Sequence, residues 1–438
     1  MELKNQAKRD VYIVDGARTP FLKARGKPGS LSASDLAVNA AREMLARLPI
    51  LPTDLGEVVL GCMMPSPDEA NIARIVALRL GCGKSVPAWT VQRNCASGMQ
   101  AIDSAVKDIS TGRHELVLAG GTEAMSRAPL LLNNKMVNWL ASFWGAKTVG
   151  SKLQQMIKLR PAYFAPVVAL LRGLTDPIVN LSMGQTAENL AYRFNITREQ
   201  MDAFSVESHR RVADAQDKNL LNEEVVPVFG YQGDYAVADD GVRRDSTVEK
   251  LATLKPFFDK KFGSVTAANS SQVTDGAAML LLASKEAVIK YKLPVLGRIV
   301  DTEWTGLDPA EMGLGPVYAS TQLMQRYNLH LDDIDYWEIN EAFAAQVLGC
   351  VAAWESDEYC KTYLGIDKAL GKIDPARLNI DGGAVALGHP VGASGARIVM
   401  HLAHVLKRNN ARRGIATICI GGGQGGAMLI ENVSDVGA

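Results

Sequence analysis

The sequence predicts an α/β fold in which two similar halves each carry a mostly parallel sheet. In the first half, "CASG" at 95–98 leads through an apolar-striped helix to "LVLAGGTEAM". In the second half, "GASG" at 392–395 leads through "ARIVMHLAHVLK" to "TICIGGGQGGAM". Each copy has a turn, a helix, a buried strand and a glycine-rich loop, which is the alternation typical of α/β proteins. The matched order favours an internal duplication.

The remaining elements follow in chain order. "VYIVDGARTPF" near the start and "PVLGRIVDTEW" at 294–304 open the two copies. A strand ending at Val91 gives way to a helix, because apolar residues recur at helical spacing from Met99 to Ile109. Between the halves, "MGQTAENLAYRF" predicts a helix and "TAANSSQVTDGAA" predicts a polar, hinge-like segment.

These elements predict three regions. Residues 1–126 form the first half, which residues 274–293 complete. Residues 127–273 form an inserted loop domain, and residues 294–438 form the second half. A chain of 438 residues is long enough for such an arrangement.

Composition narrows the class of function. The 47 basic residues balance 47 acidic ones, so no domain-wide surface for nucleic acid is expected. Six cysteines without CxxC pairs argue against a metal site and against a disulfide framework. The start, "MELKNQAKRD", lacks the apolar core of a signal peptide, and no apolar run reaches membrane-spanning length. We therefore predict a cytoplasmic protein.

Cys95 is the first candidate for chemistry. It lies where a strand gives way to a helix, and a helix N-terminus favours thiolate over thiol through backbone N–H donors and the helix dipole. The alternative is a buried structural cysteine, which is the commoner fate of a lone cysteine. Position alone favours that alternative.

Three other stretches change the balance. His389 lies among glycines in "GGAVALGHPVGASGAR", Cys419 ends an apolar strand in "CIGGGQGGAM", and Asn340 and Glu341 follow a strand in "EINEAFAAQ". A nucleophilic cysteine, a histidine base, a second cysteine and glycine N–H donors are the groups that acyl transfer through a thioester needs. Each candidate lies at a strand end or in the following turn, where α/β sheets gather their sites.

Other titratable residues have plainer interpretations. Glu341 and Glu123 are candidates for bracing loops by hydrogen bonding. The cysteines at 62, 82, 350 and 360 are expected to pack in the core, and the histidines at 114, 209, 330, 401 and 404 to lie on loops or helices.

The motifs together resemble those of the thiolases. Eight of them occur in the family's order over nearly the whole chain: "VDGARTPF", "NCASGMQAI", "GGTEAMSRAP", "MGQTAEN", "NSSQVTDGAA", "NEAFAAQ", "GGAVALGHPVGASGAR" and "CIGGGQG". The resemblance implies a thiolase fold, with two βαβαβαββ halves in a five-layered αβαβα core and an inserted loop domain. It also implies cleavage of a 3-ketoacyl-CoA by CoA to acetyl-CoA and a shortened acyl-CoA, with CoA as co-substrate and no tightly bound cofactor.

The resemblance also assigns roles to residues. Cys95 would attack the keto carbon and hold the acyl group, His389 would activate Cys95, and Cys419 would move the proton at C2. One oxyanion hole would use His389 and a water held by Asn340. The other would use the backbone N–H groups of Cys95 and Gly421.

Substrate contacts and partners follow in the same way. Ser271 matches a pantetheine-contacting serine and Met183 matches a residue of the pantetheine tunnel, while Ser182 stands where the family often has histidine. A homodimer or homotetramer is implied. Asn340 is the form usual in soluble thiolases. The thiolase subunits of trifunctional complexes, which have a hydratase/dehydrogenase partner subunit, often carry histidine there.

Residues 130–177 form a basic insert. It contains six lysines and arginines but a single acidic residue, Asp176. Met136, Trp139, Leu140 and Phe143 fall on one face at helical spacing. A basic amphipathic helix followed by a short apolar one fits peripheral contact with an anionic membrane. Trifunctional-type subunits are similar in carrying a long insert here. A lid over the site and a subunit contact are equally consistent interpretations.

Three rival functions remain open from the sequence. A short-chain acetoacetyl-CoA thiolase working in condensation shares the motifs. A non-catalytic CoA- or lipid-binding protein would be expected to lose one of Cys95, His389 or Cys419, and all three are present. A membrane-interaction subunit would depend on residues 130–177.

Overall fold

A computed structural model describes residues 9–231 and 233–433. The amino-terminal stretch that lacks an apolar leader core lies, up to residue 8, outside this range. The strands are β1 Val11–Arg18, β2 Leu22–Lys23, β3 Glu57–Gly61, β4 Ala88–Val91, β5 Leu116–Ala124, β6 Leu130–Leu131, β7 Val167–Val168, β8 Val228–Phe229, β9 Tyr235–Ala236, β10 Thr274–Ser284, β11 Gly297–Gly306, β12 Tyr336–Ile339, β13 Arg413–Ile420 and β14 Gln424–Glu431.

Helices alternate with these strands, joined by short 3-10 turns and by a π turn at Cys360–Leu364. They are α1 Ala33–Ala46, α2 Ile72–Arg79, α3 Ser97–Ser110, α4 Asn134–Gly145, α5 Val149–Ile157, α6 Ala169–Gly173, α7 Met183–Arg193, α8 Arg198–Asp217, α9 Val248–Ala252, α10 Lys285–Tyr291, α11 Gly315–Arg326, α12 Ala344–Glu355, α13 Asp357–Tyr359, α14 Ala384–Leu387 and α15 Val391–Arg408. No helix of the described chain is both long and apolar enough to cross a bilayer.

The main sheet has the strand order β12-β13-β14-β11-β1-β10-β5-β3-β4, with β2 beside β10. A short antiparallel ladder between β1 and β11 joins the two halves. The prediction of a mostly parallel sheet is wrong. In the described sheet only β3–β4, β3–β5 and β12–β13 are parallel, because β10 and β14 run antiparallel to their neighbours.

Both halves use the same order of strands. The first runs β4-β3-β5-β10-β1 and the second runs β12-β13-β14-β11. The second half has no full counterpart of the edge strand β4 within the described residues. In its place a single parallel bridge joins Trp337 of β12 to Leu378. The duplication is therefore visible in the topology, with one strand of the second copy nearly lost.

The core has the five layers that the resemblance implies. Helices α1 and α2 pack on the outer face of the first half, for example through Leu36 and Ile72. Helices α11 and α12 cover the second half, with Trp354 fully buried. Helices α3 and α15 lie between the sheet halves, where Met99 and Leu402 belong to one apolar cluster.

The two "ASG" motifs meet where α3 and α15 begin. A Cβ atom on Gly98 would lie 2.8 Å from the carbonyl oxygen of Gly392, and one on Gly395 would lie 2.7 Å from the backbone nitrogen of Met99. Gly121 of β5 is tighter still, since a Cβ there would clash with the Gly392 carbonyl. Glycine is therefore needed on both sides of this contact, which brings the N-terminal turns of α3 and α15 together.

The glycine-rich segments of the two copies differ. In the second copy, Gly422 and Gly423 form the turn between β13 and β14, with φ angles of 92° and 75° that favour glycine. In the first copy, Gly120 and Gly121 lie inside β5. The prediction of a glycine loop in both halves is wrong for the first.

The loop domain carries the predicted helix at 183–194 as α7. The segment "TAANSSQVTDGAA" is not an open hinge, since Thr266, Asn269 and Ser270 are buried and Asn269 Nδ2 donates to Asp202 at 3.1 Å. It runs directly into β10 at Thr274.

The basic insert differs from its prediction. The predicted apolar face of α4 packs inward, where Trp139 Nε1 donates to the Gln155 carbonyl at 2.8 Å and Met136 is buried. The predicted second helix is instead a 3-10 turn, β7 and the short α6. A different set of large apolar side chains is exposed on the outside, including Trp144, Val149, Leu153, Met156, Ile157, Phe164 and Leu171.

We expect Gly121→Ala to destabilise the protein by about 1–3 kcal/mol, because the added methyl group forces β5 away from the Gly392 carbonyl. Urea denaturation followed by tryptophan fluorescence measures the effect. Gly145→Ala is the control, since Gly145 ends α4 and no atom lies within 4 Å of the new Cβ. Equal denaturation midpoints for the two variants would contradict the expected steric constraint.

Candidate active site

Cys95 lies in a tight loop directly before α3. Asn94 precedes it with φ of 43°, a left-handed conformation that asparagine tolerates better than most residues. Ser97 Oγ donates to the Asn94 carbonyl at 2.7 Å and accepts the Arg93 N–H at 2.9 Å. These bonds fix the position of Cys95 relative to the helix.

A second contact fixes this loop to the other half of the protein. Asn94 Nδ2 donates to the Gly421 carbonyl at 2.7 Å, and Gly421 follows β13 directly. The backbone of Gly421 also makes a hydrogen bond to the Cys95 thiol. Cys95 and Gly421, which lie in opposite halves of the sequence, are therefore neighbours, as the predicted oxyanion hole requires.

The electrostatics of Cys95 differ from the prediction. Burial raises the pKa of its thiol, and backbone hydrogen bonds from Gly421 and from Cys95 itself only partly oppose this. The predicted thiolate at a helix N-terminus is therefore wrong, because the cost of removing a charge from water outweighs the backbone donors. Cys95 is therefore a thiol in the free protein, and the predicted role as nucleophile would need a base.

His389 has the properties of that base. It follows Gly388, whose φ is 101°, and its backbone N–H donates to the Gln272 carbonyl at 3.0 Å. Its Nδ1 lies 2.6 Å from Ser394 Oγ, and that hydroxyl donates to the Pro390 carbonyl at 3.2 Å. Ser394 therefore accepts the Nδ1 proton, which leaves the lone pair on Nε2.

Burial, and after it the charge of Arg397, lowers the pKa of His389 to about 4. The imidazole is therefore neutral at neutral pH. Its Nε2 is buried and has no hydrogen-bond partner in the part of the chain that the structure describes. A neutral imidazole with a free lone pair can take the proton of a thiol.

Cys419 lies near the end of β13 and is fully buried. Its surroundings are apolar and include Met312, Phe343 and Ala345. Burial raises the pKa of its thiol well above the ordinary value, and the nearby sulfurs of Cys95 and Cys350 act in the same direction. Cys95 and Cys419 are therefore close together, and both are protonated at rest.

Asn340 brings a free amide to this region. It follows β12, and its backbone N–H donates to the carbonyl of Thr417 on β13 at 3.0 Å. Its side chain is fully buried, yet neither Nδ2 nor Oδ1 has a hydrogen-bond partner among the described residues. Buried amides are rarely left unpaired, so Asn340 is suited to holding a water or a substrate oxygen.

The loop at 269–272 joins these groups. The Ser271 N–H donates to the Ala342 carbonyl at 2.9 Å, beside Asn340, and the Gln272 carbonyl accepts the His389 N–H. Ser271 is partly exposed, as a contact for a bound cofactor arm requires. The structure thus places Ser271 between the Asn340 loop and His389.

Met183 faces the same region from the loop domain. It is the first residue of α7, and its Sδ would lie 3.2 Å from a Cβ atom on Gly421. Ser182, before it, caps α7, since its Oγ accepts the Gln185 N–H at 3.3 Å. The serine at this position therefore has a structural function of its own.

Two buried carboxylates brace the site. Glu341 accepts hydrogen bonds from Ser208 Oγ, Asn379 Nδ2 and the Val385 N–H at 2.7, 2.8 and 3.1 Å. Glu123 accepts the N–H groups of Met63, Met64 and Gly392 at 2.8, 3.0 and 2.9 Å. Both bind main-chain groups on either side of the site, which agrees with their predicted bracing function.

Two residues of this region were not predicted from the sequence. Ser394 holds the His389 ring, and Asn94 holds the loop of Cys95 against Gly421. Ser394 is the serine of the second "ASG" motif, so the repeated motif could have indicated that this serine belongs to the site. Nothing in the sequence pattern marked Asn94 beyond its place before Cys95.

The comparisons with known proteins agree with this arrangement. The family model described as "Thiolase, N-terminal domain" matches residues 11–286, and "Thiolase, C-terminal domain" matches residues 293–432. The chain belongs to the thiolase family. The predicted family and fold are confirmed, and thiolases are acyltransferases, so this chain is an enzyme of acyl transfer.

Individual thiolases are similar over almost their full length. The mitochondrial 3-ketoacyl-CoA thiolase of Rattus norvegicus is 38% identical over 430 residues, covering 97% of this chain and 99% of the relative. The beta-ketoadipyl-CoA thiolase of Pseudomonas aeruginosa is 39% identical over 430 residues, covering 97% and 100%.

Solved thiolase structures have the same fold. Human mitochondrial 3-ketoacyl-CoA thiolase in complex with CoA has a TM-score of 0.83 at 35% identity, covering 97% of this chain and 98% of the other. The Bacillus anthracis acetyl-CoA acetyltransferase has a TM-score of 0.84 at 36% identity, covering 98% and 100%.

We expect Ser394→Ala to lower kcat/KM for thiolysis about 5- to 150-fold, as the loss of about 1–3 kcal/mol from a buried hydrogen bond predicts. Without Ser394 the imidazole can turn, and its proton can move to Nε2. Steady-state assays with CoA and a 3-ketoacyl-CoA measure the change. Ser104→Ala on α3 is the control, because the hydrogen bonds of Ser104 to described residues all lie within its own helix. Full activity of Ser394→Ala would show that His389 needs no such orientation.

Proposed function

We propose that this thiolase cleaves 3-ketoacyl-CoA with CoA in the degradation of fatty acids, through an acyl-Cys95 intermediate. The observation that carries the proposal is that Cys95, Cys419 and the Gly421 backbone are neighbours, while a neutral His389 lies before α15, whose start packs against the start of α3. The similarity to 3-ketoacyl-CoA thiolases over 97% of the chain supports the substrate class. Cytoplasmic location stays a prediction, since several of the relatives are mitochondrial.

The first half-reaction starts at the Cys95 thiol. His389 Nε2 takes its proton, and the sulfur attacks C3 of the substrate. The C2–C3 bond then breaks, its electron pair stays on C2, and Cys419 delivers a proton there, so acetyl-CoA leaves. The acyl group remains on Cys95 as a thioester. The high thiol pKa of Cys419 suits this step, since the group that donates must be protonated beforehand.

The second half-reaction returns the enzyme to its starting state. The thiol of a new CoA loses its proton to Cys419 and attacks the thioester carbon, and the Cys95 sulfur leaves with the proton held by His389. His389 and a water on Asn340 would stabilise the oxygen of one intermediate, and the N–H groups of Cys95 and Gly421 the other. Ser271 and Met183 would contact the pantetheine arm of CoA.

The first experiment compares substrates. We expect faster CoA-dependent loss of a long-chain 3-ketoacyl-CoA than of acetoacetyl-CoA, with an acyl group on Cys95 in mass spectra. Cys95→Ser abolishes the adduct, whereas Cys419→Ser still accepts an acyl group from an acyl-CoA but does not turn over. Preference for acetoacetyl-CoA would favour the short-chain enzyme, and preference for beta-ketoadipyl-CoA the function named for the Pseudomonas relative. Equal loss of both steps in both folded variants would contradict the division of roles.

We also propose that the outer surface of the insert contacts an anionic membrane. The side chains of Trp144, Val149 and Ile157 are 72%, 84% and 72% exposed, so they do not pack in the core of the chain. The lysines at 147, 152 and 158 lie in the same segment, whereas its one acidic residue, Asp176, is buried. Exposed apolar and basic side chains together are typical of an interfacial segment.

The combined change of Trp144, Val149 and Ile157 to serine should abolish binding to vesicles that contain anionic lipid, as measured by co-sedimentation. Phe262→Ser is the control, because Phe262 is 79% exposed outside the insert. Light scattering on the same proteins reports the expected homodimer or homotetramer. Retained vesicle binding by the triple variant would contradict the membrane proposal. A smaller oligomer in that case would favour a subunit contact instead. A hydratase/dehydrogenase partner subunit stays a prediction.

A further inference from the structure

A set of buried charges lies beneath the site and takes no part in the reaction described above. Its members come from β1, β12, α15 and the segments that follow α8, β9 and the Leu378 bridge. They are Arg18, Glu224, Asp239, Glu338, Asp381, Arg397 and His401. Charges are rarely buried unless they are paired, so a set of this size needs an explanation.

Arg397 and Glu338 form the pair nearest to the reacting groups in sequence. Arg397 lies on α15, one turn after Ser394, and its Nη1 donates to Glu338 Oε2 at 3.2 Å. Glu338 lies on β12, two residues before Asn340. The pair therefore joins the helix that orients His389 to the strand that ends at Asn340.

Glu338 is held from its other side by His401. His401 Nε2 lies 3.7 Å from Glu338 and 3.3 Å from Asp381, and Nδ1 lies 2.9 Å from Glu224. Burial opposes a charge on His401, but Glu224 and Glu338 raise the pKa of this histidine to about 10. Glu338 thus lies between two cations, which only partly oppose the burial that raises the pKa of this carboxyl to about 7. Arg397 Nη2 has no hydrogen-bond partner within the described residues.

We infer that Arg397 is a positioning residue for the reaction: it ties α15 to β12 through Glu338 and so sets the spacing of His389 and Asn340, and it holds a fixed positive charge beside the site. This inference rests on the base role proposed for His389. It assigns a function to a residue that contacts neither substrate nor the reacting atoms.

The positive charge of Arg397 lowers the pKa of His389. The titratable groups on the elements around the imidazole include Arg397 and His401 on α15, Glu338 on β12, Glu341 after it, Glu123 at the end of β5, and the thiols of Cys95 and Cys419. Of these, Arg397 is the one whose charge lowers the pKa of His389, after burial. Removing it therefore raises that pKa, and the base is lost at a higher pH.

The test is the pH dependence of Cys95 alkylation by iodoacetamide and of kcat/KM, both measured on the full chain. Arg397→Gln should move the acid limb of both profiles upward by about one pH unit, a shift that a single nearby charge can cause. Arg397→Lys keeps the charge and should keep the position of the limb. Arg408→Gln is the matched control, since Arg408 lies on the same helix and pairs with Asp381 at 2.6 Å.

Glu338→Gln provides a second test if Arg397→Gln does not fold. It leaves the charge of Arg397 without its partner, so its acid limb should not move upward, although kcat falls because the spacing of Asn340 is no longer fixed. An upward shift in Glu338→Gln would overturn the inference. An Arg397→Gln variant whose acid limb stays at the wild-type pH would also overturn the inference, even if its rate is lower. A purely structural function would lower the rate equally at every pH.

His389→Ala separates this inference from the proposed site. If the acid limb persists in that variant, His389 is not the base, and both the proposed mechanism and the inference fail. If the limb disappears in His389→Ala but does not shift in Arg397→Gln, only the inference on Arg397 is overturned.

Discussion

The close approach of α3 and α15 is the constraint on which the rest of the structure depends. Gly98, Gly121 and Gly392 leave no room for a side chain between the two helix starts. Each helix is preceded by one of the residues proposed to react, Cys95 before α3 and His389 before α15. Backbone packing thus brings together groups from opposite halves, and the flanking sheets and outer helices hold the two helices in place.

The electrostatics of the site follow from this burial. The Cys95 and Cys419 thiols have raised pKa values and His389 a lowered one, so all three groups are uncharged in the free enzyme. Neutral groups are less costly to bury than charged ones, which allows the site to lie deep between the halves. In the proposed reaction charge develops on the substrate oxygens, where backbone N–H groups and the Asn340 amide, which has no partner among the described residues, would stabilise it.

Much of the fold and site could be predicted because short sequence patterns indicate the duplication and the strand ends that hold the site. The repeated "ASG" motifs marked the duplication, and the residues around Cys95, His389 and Cys419 marked strand ends. The antiparallel turns of β10 and β14 could not be predicted, since strand direction depends on pairing between distant segments. The raised thiol pKa of Cys95 was missed because the helix N-terminus is visible in the sequence, whereas the depth of burial is not. The inward face of α4 was missed because α5 covers it.

The protonated state of the two sulfurs has a consequence for the durability of the enzyme. Peroxides oxidise cysteine as thiolate, and a thiol in an apolar, buried site reacts slowly. Cys419 is fully buried, and in the proposed mechanism Cys95 becomes reactive only when His389 removes its proton. If both cysteines act as proposed, the burial that keeps their thiols protonated also protects the reacting sulfur atoms from oxidation in the absence of substrate.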